Sequence, residues 1–204
     1  MEDRQTAGHE AAQPSLARRA MIDSQLRASG VNAEPVLRRM AEVAREQFVP
    51  QSARRFAYID RAIALGDGRQ LAAPVVHGLM LQEARPTAGD KALLVDGGSG
   101  YLAELVRPLV GALDILSPAD AVAGASSRRG GYTLLLIDGA IEHLPEGLVR
   151  RLADDGRVVT GLLANGITRL AVGRKAAGAV ALLPIAELGI PVLSEFAAPR
   201  GWSF

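Results

Sequence analysis

The chain has 204 residues, 49% of them hydrophobic, and its 23 basic and 22 acidic side chains give a net charge of +1. This length suits one domain, or one domain with an N-terminal extension, and the balanced charge argues against nucleic acid or anionic lipid as a partner. No apolar run reaches the ~20 residues of a membrane helix. The absence of cysteine excludes disulfides and zinc-thiolate sites and is consistent with a cytoplasmic location.

The N-terminal region is predicted to be helical. After a loose tail over residues 1–15, apolar spacing predicts a helix from Leu16 to Leu26. A second helix is expected to have Asn32 as its N-cap and to stop by Pro50. Residues 51–73 are then expected to be irregular up to another helix that starts near Pro74.

A glycine-rich turn in the middle of the chain is the most informative feature. The segment Lys91–Tyr101 reads KALLVDGGSGY, an apolar strand that leads into a turn and then into apolar residues at helical spacing. Because glycine has no Cβ, such a turn lets a nucleotide-like ligand approach the backbone in α/β proteins. The candidate binding residues are Asp96, Gly97, Gly98, Ser99 and Gly100. Ligand-binding turns usually carry their first glycine where this chain has Asp96.

The remaining apolar runs alternate between strand and helix patterns. The expected elements are strands at Ala112–Leu116, Tyr132–Ile137 and Arg157–Leu163, a helix at Pro145–Ala153, and a terminal hairpin of strands at Ile167–Gly173 and Ala179–Ile185. This alternation predicts an α/β fold with a mainly parallel sheet and an antiparallel C-terminal hairpin. The strand Lys91–Val95 is expected to be central.

Four separated motifs resemble those of the protein-L-isoaspartate O-methyltransferase family. They are AEVAREQFVP at residues 41–50, AYID at 57–60, the loop from Gly66 to Pro74, and the glycine turn with the preceding Gly89-Asp90. Their agreement in order and spacing makes the resemblance specific. It implies a Rossmann-like S-adenosylmethionine-dependent methyltransferase fold, with S-adenosylmethionine as methyl donor and isoaspartyl residues of damaged proteins as substrate.

The donor half of the site departs from the family pattern. In an ungapped comparison Leu94 stands where the family has an acidic residue, and Asp96 replaces the first glycine, where its carboxylate would repel that of the donor. Ser117 stands at the ribose-binding acid of the next strand and is a weaker acceptor. Only a short segment links Ser117 to Tyr132, so one strand–helix unit at the sheet edge, with part of the adenine pocket, is expected to be missing.

The acceptor half has changed as well. In the loop that starts at Gly68, Gln70 replaces the family's threonine, Ala72 its active-site serine and Ala73 its glutamine. An alanine methyl group cannot position a carboxylate by hydrogen bonding, and poor positioning lowers rates steeply. No catalytic residue is therefore assigned.

Other candidate groups receive structural interpretations. His9, His77 and His143 show no metal-ligand spacing, so no metal is expected, and His77 is expected on a helix surface or in the core. Ser99 lacks the frame of a nucleophile elbow. Asp138-Gly139 is interpreted as a turn or as a binding element. The pairs Arg54-Arg55 and Arg128-Arg129 are interpreted as solvated surface.

The sequence leaves two functional hypotheses open. The first is a catalytically degenerate family member, with weak or no donor binding, retained as a protein- or peptide-binding scaffold. The alternative is a divergent active carboxyl methyltransferase in which Asp96, Asp120 or Asp138 replaces the lost contacts. In either case one folded unit is expected, with a helical extension over residues 16–88 and a Rossmann-like core over 89–204, shortened at one sheet edge.

Overall fold

The computed structural model describes residues 15–124 and 130–198. The chain folds as a six-stranded sheet with helices on its faces and a small hairpin beside it. The strands are β1 (Ile63–Gly66), β2 (Arg69–Leu71), β3 (Lys91–Val95), β4 (Ala112–Leu116), β5 (Tyr132–Ile141), β6 (Leu152–Ala164), β7 (Ile167–Ala176) and β8 (Ala179–Glu187).

The helices pack mainly in the N-terminal half. The described part of α1 covers residues 15–21 and continues as a π-helical turn at Ile22–Leu26. The others are α2 (Glu34–Glu42), α3 (Pro74–Ala84), α4 (Tyr101–Val106), α5 (Pro118–Val122) and α6 (Glu146–Arg151), with short 3-10 segments at Arg45–Phe48, Gln51–Phe56, Arg107–Leu109 and Ser194–Phe196.

The large sheet confirms the predicted α/β architecture. Its strand order is β4-β3-β5-β6-β7-β8. The pairs from β4 to β6 are parallel, whereas β6, β7 and β8 pair antiparallel and form the expected C-terminal hairpin. Strand β4 is at the edge, and among residues 118–124 and 130–131 there is a short helix but no strand. This agrees with the predicted shortening there. β3 is internal but adjacent to β4, so the expectation that it is central was wrong.

Two packed cores cover the sheet faces. On one face Leu94, Leu136 and Val159 pack with α3 and the N-terminal helices. On the other face Leu93, Leu135 and Val158 pack with α6 and with the C-terminal segment around Phe196. Nearly every side chain of β3 and β5 is buried, which explains why these strands read as uninterrupted apolar runs.

Several local expectations were wrong. The N-cap position of α2 is Ala33, not Asn32, and the helix ends at Glu42. The backbone amide of Asn32 instead donates to Gln82 Oε1 at 2.8 Å. Residues 63–71, expected to be irregular, form the β1–β2 hairpin. Asp138-Gly139 is not a turn but an irregularity within β5, after which Ala140 pairs with Gly161 of β6 on one side and with residues 191–193 on the other. The predicted tail lies outside the described residues except for Ser15, which is helical. The division at residues 88–89 stays a prediction.

Candidate functional site

The glycine turn lies at the carboxyl ends of the parallel strands, where open α/β sheets bind ligands. Gly98 and Gly100 have positive φ values of 108° and 72°, which only glycine adopts freely. Gly97 has a different constraint, because a Cβ there would lie 2.2 Å from the carbonyl oxygen of Asp138. The turn therefore packs directly against β5 and needs its glycines.

Asp96 points back into the turn rather than outward. Its carboxylate accepts hydrogen bonds from the Gly98 amide at 3.2 Å and the Gly100 amide at 3.0 Å, and Ser99 Oγ accepts from the Tyr101 amide at 3.1 Å. Burial raises the pKa of Asp96, and the nearby Asp138 carboxylate raises it further. The backbone amides that a glycine turn offers to an anionic ligand are thus already used by this chain's own side chain.

Ser117 and Leu94 have structural partners in this chain. Ser117 is the N-cap of α5: its hydroxyl accepts from the Asp120 amide at 3.1 Å and donates to Asp120 Oδ2 at 2.6 Å. The N-cap hydroxyl and one carboxylate oxygen of Asp120 are therefore both engaged. Leu94 is fully buried in the core beneath α3. The binding roles assigned to Asp96, Gly97, Gly98, Ser99, Gly100 and Ser117 stay predictions.

A buried polar chain lies beneath the site and was not foreseen from the sequence. Arg45 is completely buried and donates from Nε to Ala57 O at 2.7 Å and from Nη2 to Ala72 O. Its Nη1 lies 3.4 Å from His77 Nδ1, and His77 Nε2 lies 3.0 Å from Asp138 Oδ1. Because arginine only donates, His77 Nδ1 accepts, and the Nε2 proton is directed at Asp138.

These contacts show which of the predicted environments His77 and Asp138 occupy. His77 is in the core, as one of its two interpretations expected, and Asp138 is 7% exposed with its carboxylate engaged by His77. The position of Arg45 in the AREQFVP motif was the one available signal. Its partners are separated from it by 12 to 32 residues, so no spacing rule predicts the contacts.

An ion pair covers the glycine turn from the other side. Arg69 of β2 pairs with Glu195, and this contact lowers the pKa of the Glu195 carboxyl. A Cβ at Gly98 would lie 3.2 Å from the Arg69 side chain. The C-terminal segment is held in place because the Ala140 amide donates to Pro191 O at 2.7 Å and the Leu193 amide donates to Ala140 O at 2.9 Å.

The cavity beside the glycine turn is small. Between the Gly68–Gln70 loop, Gly97, Asp138 and residues 191–193 there is a cavity of only about 20 Å³. Sites for drug-sized ligands measure roughly 300–1,000 Å³, whereas a single water needs about 10–15 Å³. At the acceptor side, Ala72 and Ala73 are 4% and 8% exposed and belong to the core, so neither presents a polar group to a substrate.

The remaining candidates are not brought to this site. Arg54 and Arg55 are exposed, as expected, and His143 is partly exposed on the segment after β5. His9 and the pair Arg128-Arg129 lie outside the described residues. Within residues 15–124 and 130–198 no cluster of metal-binding side chains occurs, and no helix is long and apolar enough to cross a membrane.

The fold and the strand–turn–helix at its ligand-binding edge are those of a Rossmann-like methyltransferase. The sequence model of the family Protein-L-isoaspartate(D-aspartate) O-methyltransferase (PCMT) matches residues 17–117. A protein-L-isoaspartate O-methyltransferase of Anaeromyxobacter sp. (strain Fw109-5) is 30% identical over 178 residues, which cover 74% of this chain and 73% of the relative. That of Methanoculleus marisnigri is 26% identical, with 91% and 93% covered. The chain belongs to the protein-L-isoaspartate O-methyltransferase family.

Solved structures confirm the fold. A Plasmodium falciparum protein described as a beta-aspartate methyltransferase (PCMT), in complex with S-adenosyl-L-homocysteine, matches with a TM-score of 0.69 at 18% identity, covering 87% of this chain and 98% of that one. A second protein-L-isoaspartate O-methyltransferase matches with a TM-score of 0.68 at 15% identity, covering 87% and 66%. The cofactor inferred from the resemblance, S-adenosylmethionine, is thus confirmed as that of the family.

Proposed function

We propose that this chain is a non-catalytic member of its family, with weak or no binding of S-adenosylmethionine, and that it acts as a binding or scaffold protein for a polypeptide in the cytoplasm. The observation that carries the proposal is the Asp96 carboxylate, which occupies the amides of Gly98 and Gly100. A donor's carboxylate would have to displace it and would meet its negative charge.

Two further contacts support the same conclusion. The Ser117 hydroxyl donates to Asp120 Oδ2 and accepts from the Asp120 amide, so the hydroxyl and one of the two carboxylate oxygens are already engaged where a ribose would need an acidic pair. Arg69 and Glu195 lie over the turn where the donor's amino-acid end would approach. Losing two or three charge-assisted contacts, at roughly 1.5–3 kcal/mol each, would weaken a micromolar site by a factor of 100 or more.

One observation favours the alternative, a divergent active methyltransferase. The strand, turn and helix from Lys91 to Val106 keep their geometry, including the positive φ values at Gly98 and Gly100. If the Asp96 side chain rotated out of the turn, the amides of Gly98 and Gly100 would be available to a ligand. This alternative predicts saturable donor binding and methyl transfer to an isoaspartyl peptide.

Calorimetric titration with S-adenosylmethionine and S-adenosylhomocysteine separates the two functions. The expected result is no saturable binding below about 100 µM, together with no transfer of label from donor to an isoaspartyl peptide. Asp96→Gly restores the family's residue and tests whether the carboxylate blocks the turn. Asp67→Gly, an exposed aspartate at positive φ in the β1–β2 turn, is the matched control. Binding at low micromolar concentration with turnover by the parent chain would overturn the proposal.

A further inference from the structure

A groove on the opposite edge of the sheet has features of a binding surface. It has a volume of about 420 Å³ and lies between the carboxyl end of α3 and the exposed side of β6, β7 and β8. Its floor consists of Val159, Val172 and Leu183, which neighbour one another across the three strands. Leu183 is 64% exposed, so the groove is open along its outer margin.

Three arginines line this groove. Arg157 and Arg174 are directly paired across β6 and β7, in register with Ala181 of β8. Like charges in directly opposed positions on one sheet face destabilise the pairing. Arg85 is the third, exposed at the end of α3 with a left-handed backbone. Glu83 is the acidic residue among those lining the groove.

The existing partners of these arginines leave donors available. Asp90 engages Nη2 of Arg157 at 2.8 Å, and Nε is buried without a partner, so Nη1 is the donor that remains for a ligand among the residues that the structure describes. Arg174 lies 3.7 Å from Asp155, and both side chains are mostly solvent-exposed, at 59% and 81%, so this pair contributes little. Arg85 has no ion pair among the residues that the structure describes. A carboxylate in the groove would relieve the repulsion between Arg157 and Arg174 and find unoccupied guanidinium donors.

We infer that this groove binds an extended acidic polypeptide segment, with carboxylates on Arg85, Arg157 and Arg174 and an aliphatic side chain on Val172 and Leu183. A polypeptide fits better than a small molecule, because small ligands are usually 70–90% buried in their sites and this groove is open at Leu183. The inference rests on the proposed binding role and names its partner chemistry. It does not involve the glycine turn, which lies at the other end of β3.

Fluorescence anisotropy with a labelled octapeptide of alternating glutamate and leucine tests the inference on the full chain. We expect saturable binding with a Kd of about 10–100 µM that weakens with added salt. A lysine–leucine peptide and a glutamate–serine peptide of the same length are expected to bind at least tenfold more weakly. Equal binding of either control peptide, or no binding of the first at about 1 mM, would overturn the inference.

Variants locate the binding. Arg85→Gln and Arg174→Gln are each expected to weaken it about threefold to fivefold, and Arg174→Glu combined with Leu183→Asp at least tenfold. The matched control is Arg150→Gln, because Arg150 is 72% exposed on α6 at the other face of the sheet, and it should leave the Kd unchanged. Thermal unfolding confirms that each variant folds. Unchanged affinity in the charge-reversed double variant would place the peptide elsewhere and refute the assignment.

Two competing occupants are distinguished in the same experiment. Decanoate that displaces the peptide and binds more tightly would identify a small-molecule site and overturn the polypeptide assignment. Sedimentation velocity that shows a dimer broken by Leu183→Asp would identify a contact between copies and overturn it as well. Donor titration is a separate measurement, so failure of the groove and failure of the non-catalytic proposal are distinguishable.

Discussion

Asp90 and Asp96 stand at the two ends of strand β3, and their surroundings shift their pKa values in opposite directions. Burial disfavours the charged form of Asp90, but hydrogen bonds from Thr133, Thr87 and Arg157 outweigh it and lower the pKa of this carboxyl. Burial also disfavours charge on Asp96, and there the neighbouring Asp138 adds to the effect, so the pKa is raised.

The cost of burying the charge is outweighed by hydrogen bonds at Asp90 but not at Asp96. Asp90 accepts from Thr133 Oγ1 at 2.7 Å, from Thr87 N at 2.8 Å and from Arg157 Nη2 at 2.8 Å, and so joins β3, β5 and β6 at their amino ends. Asp96 accepts from two backbone amides but faces a second acid, and it has no ion pair within residues 15–124 and 130–198. The same type of side chain is therefore stabilised in its charged form at the amino end of β3 and disfavoured in that form at the carboxyl end.

The largest effect on the free energy of unfolding is expected from removing the buried guanidinium of Arg45, which lies beneath the glycine turn. Arg45→Met removes the donors to Ala57 O and Ala72 O and the contact with His77. The two buried carbonyls then lack partners, so we expect a loss of about 3–5 kcal/mol in the free energy of unfolding. Urea unfolding measures it, with Arg150→Met as the exposed control. A loss below about 1 kcal/mol would show that this network is not what joins the N-terminal extension to the core.

A smaller loss of stability is expected from a change at Asp90, at the amino end of β3. Asp90→Asn removes the charge that Arg157 engages and should cost about 2 kcal/mol at pH 7. Since the folded pKa of Asp90 is depressed, its contribution is complete above the unfolded pKa of about 3.9 and disappears as pH falls through the folded value. The difference between variant and parent in urea unfolding should therefore shrink below about pH 4. The control is Asp155→Asn, and a difference independent of pH would contradict this account.

Asp96→Asn is expected to stabilise the protein at neutral pH, in contrast to Asp90→Asn. The raised pKa of Asp96 means that the charged form destabilises the folded state at neutral pH, and that this penalty is relieved as pH falls through the folded pKa. Removing the charge should stabilise the protein by a few tenths to about 1 kcal/mol at pH 7, and the gain should vanish in acid. Asp67→Asn, at an exposed turn, serves as the control. Destabilisation at every pH would mean that the two amide contacts outweigh the cost of burying the charge and the repulsion from Asp138.

Much of the fold could be predicted because apolar runs leave a local record in the sequence. The positions of β3, β4 and β8 agree closely with the prediction, since short apolar runs bounded by glycine or proline have few alternatives, whether buried as in β3 or at a sheet edge as in β4 and β8. The β1–β2 hairpin was missed because strands of four and three residues are too short to show a period. Past Asp138, β5 continues after a register shift by pairing with Gly161 and Leu162 of β6 and with residues 191–193, and no local pattern predicts those contacts.

The site was predictable only in part, for the same reason. The changes at Leu94, Asp96 and Ala72 are visible in the sequence once the family motifs are recognised. The contacts around the turn are not visible there: Arg69 meets Glu195 across 126 residues, and His77 meets Asp138 across 61. Contacts of this kind arise from the tertiary fold, so the sequence indicated which family residues are changed but not which side chains pair at the site.

The smallest effect, no recovery of activity at all, is expected from restoring the acceptor loop alone. Ala72→Ser with Ala73→Gln returns the family's polar side chains to the segment before α3. Both positions are buried, so the larger side chains must also displace core neighbours, at a cost of about 1–3 kcal/mol. The assay is methyl transfer from labelled donor to an isoaspartyl peptide, beside an active family member and an exposed control, Ala177→Ser with Ala179→Gln.

The expected null result follows from the chemistry of a two-substrate reaction. Methyl transfer needs donor and acceptor held in line together, and positioning one reactant leaves the other at its bulk concentration. In the double variant Asp96 still occupies the turn amides, Ser117 still caps α5, and the Arg69–Glu195 pair still lies over Gly98. Turnover in the double variant but not in the parent chain would show that the donor site is open and that the loss is confined to the acceptor loop. In that case the Asp96 carboxylate would not block donor binding.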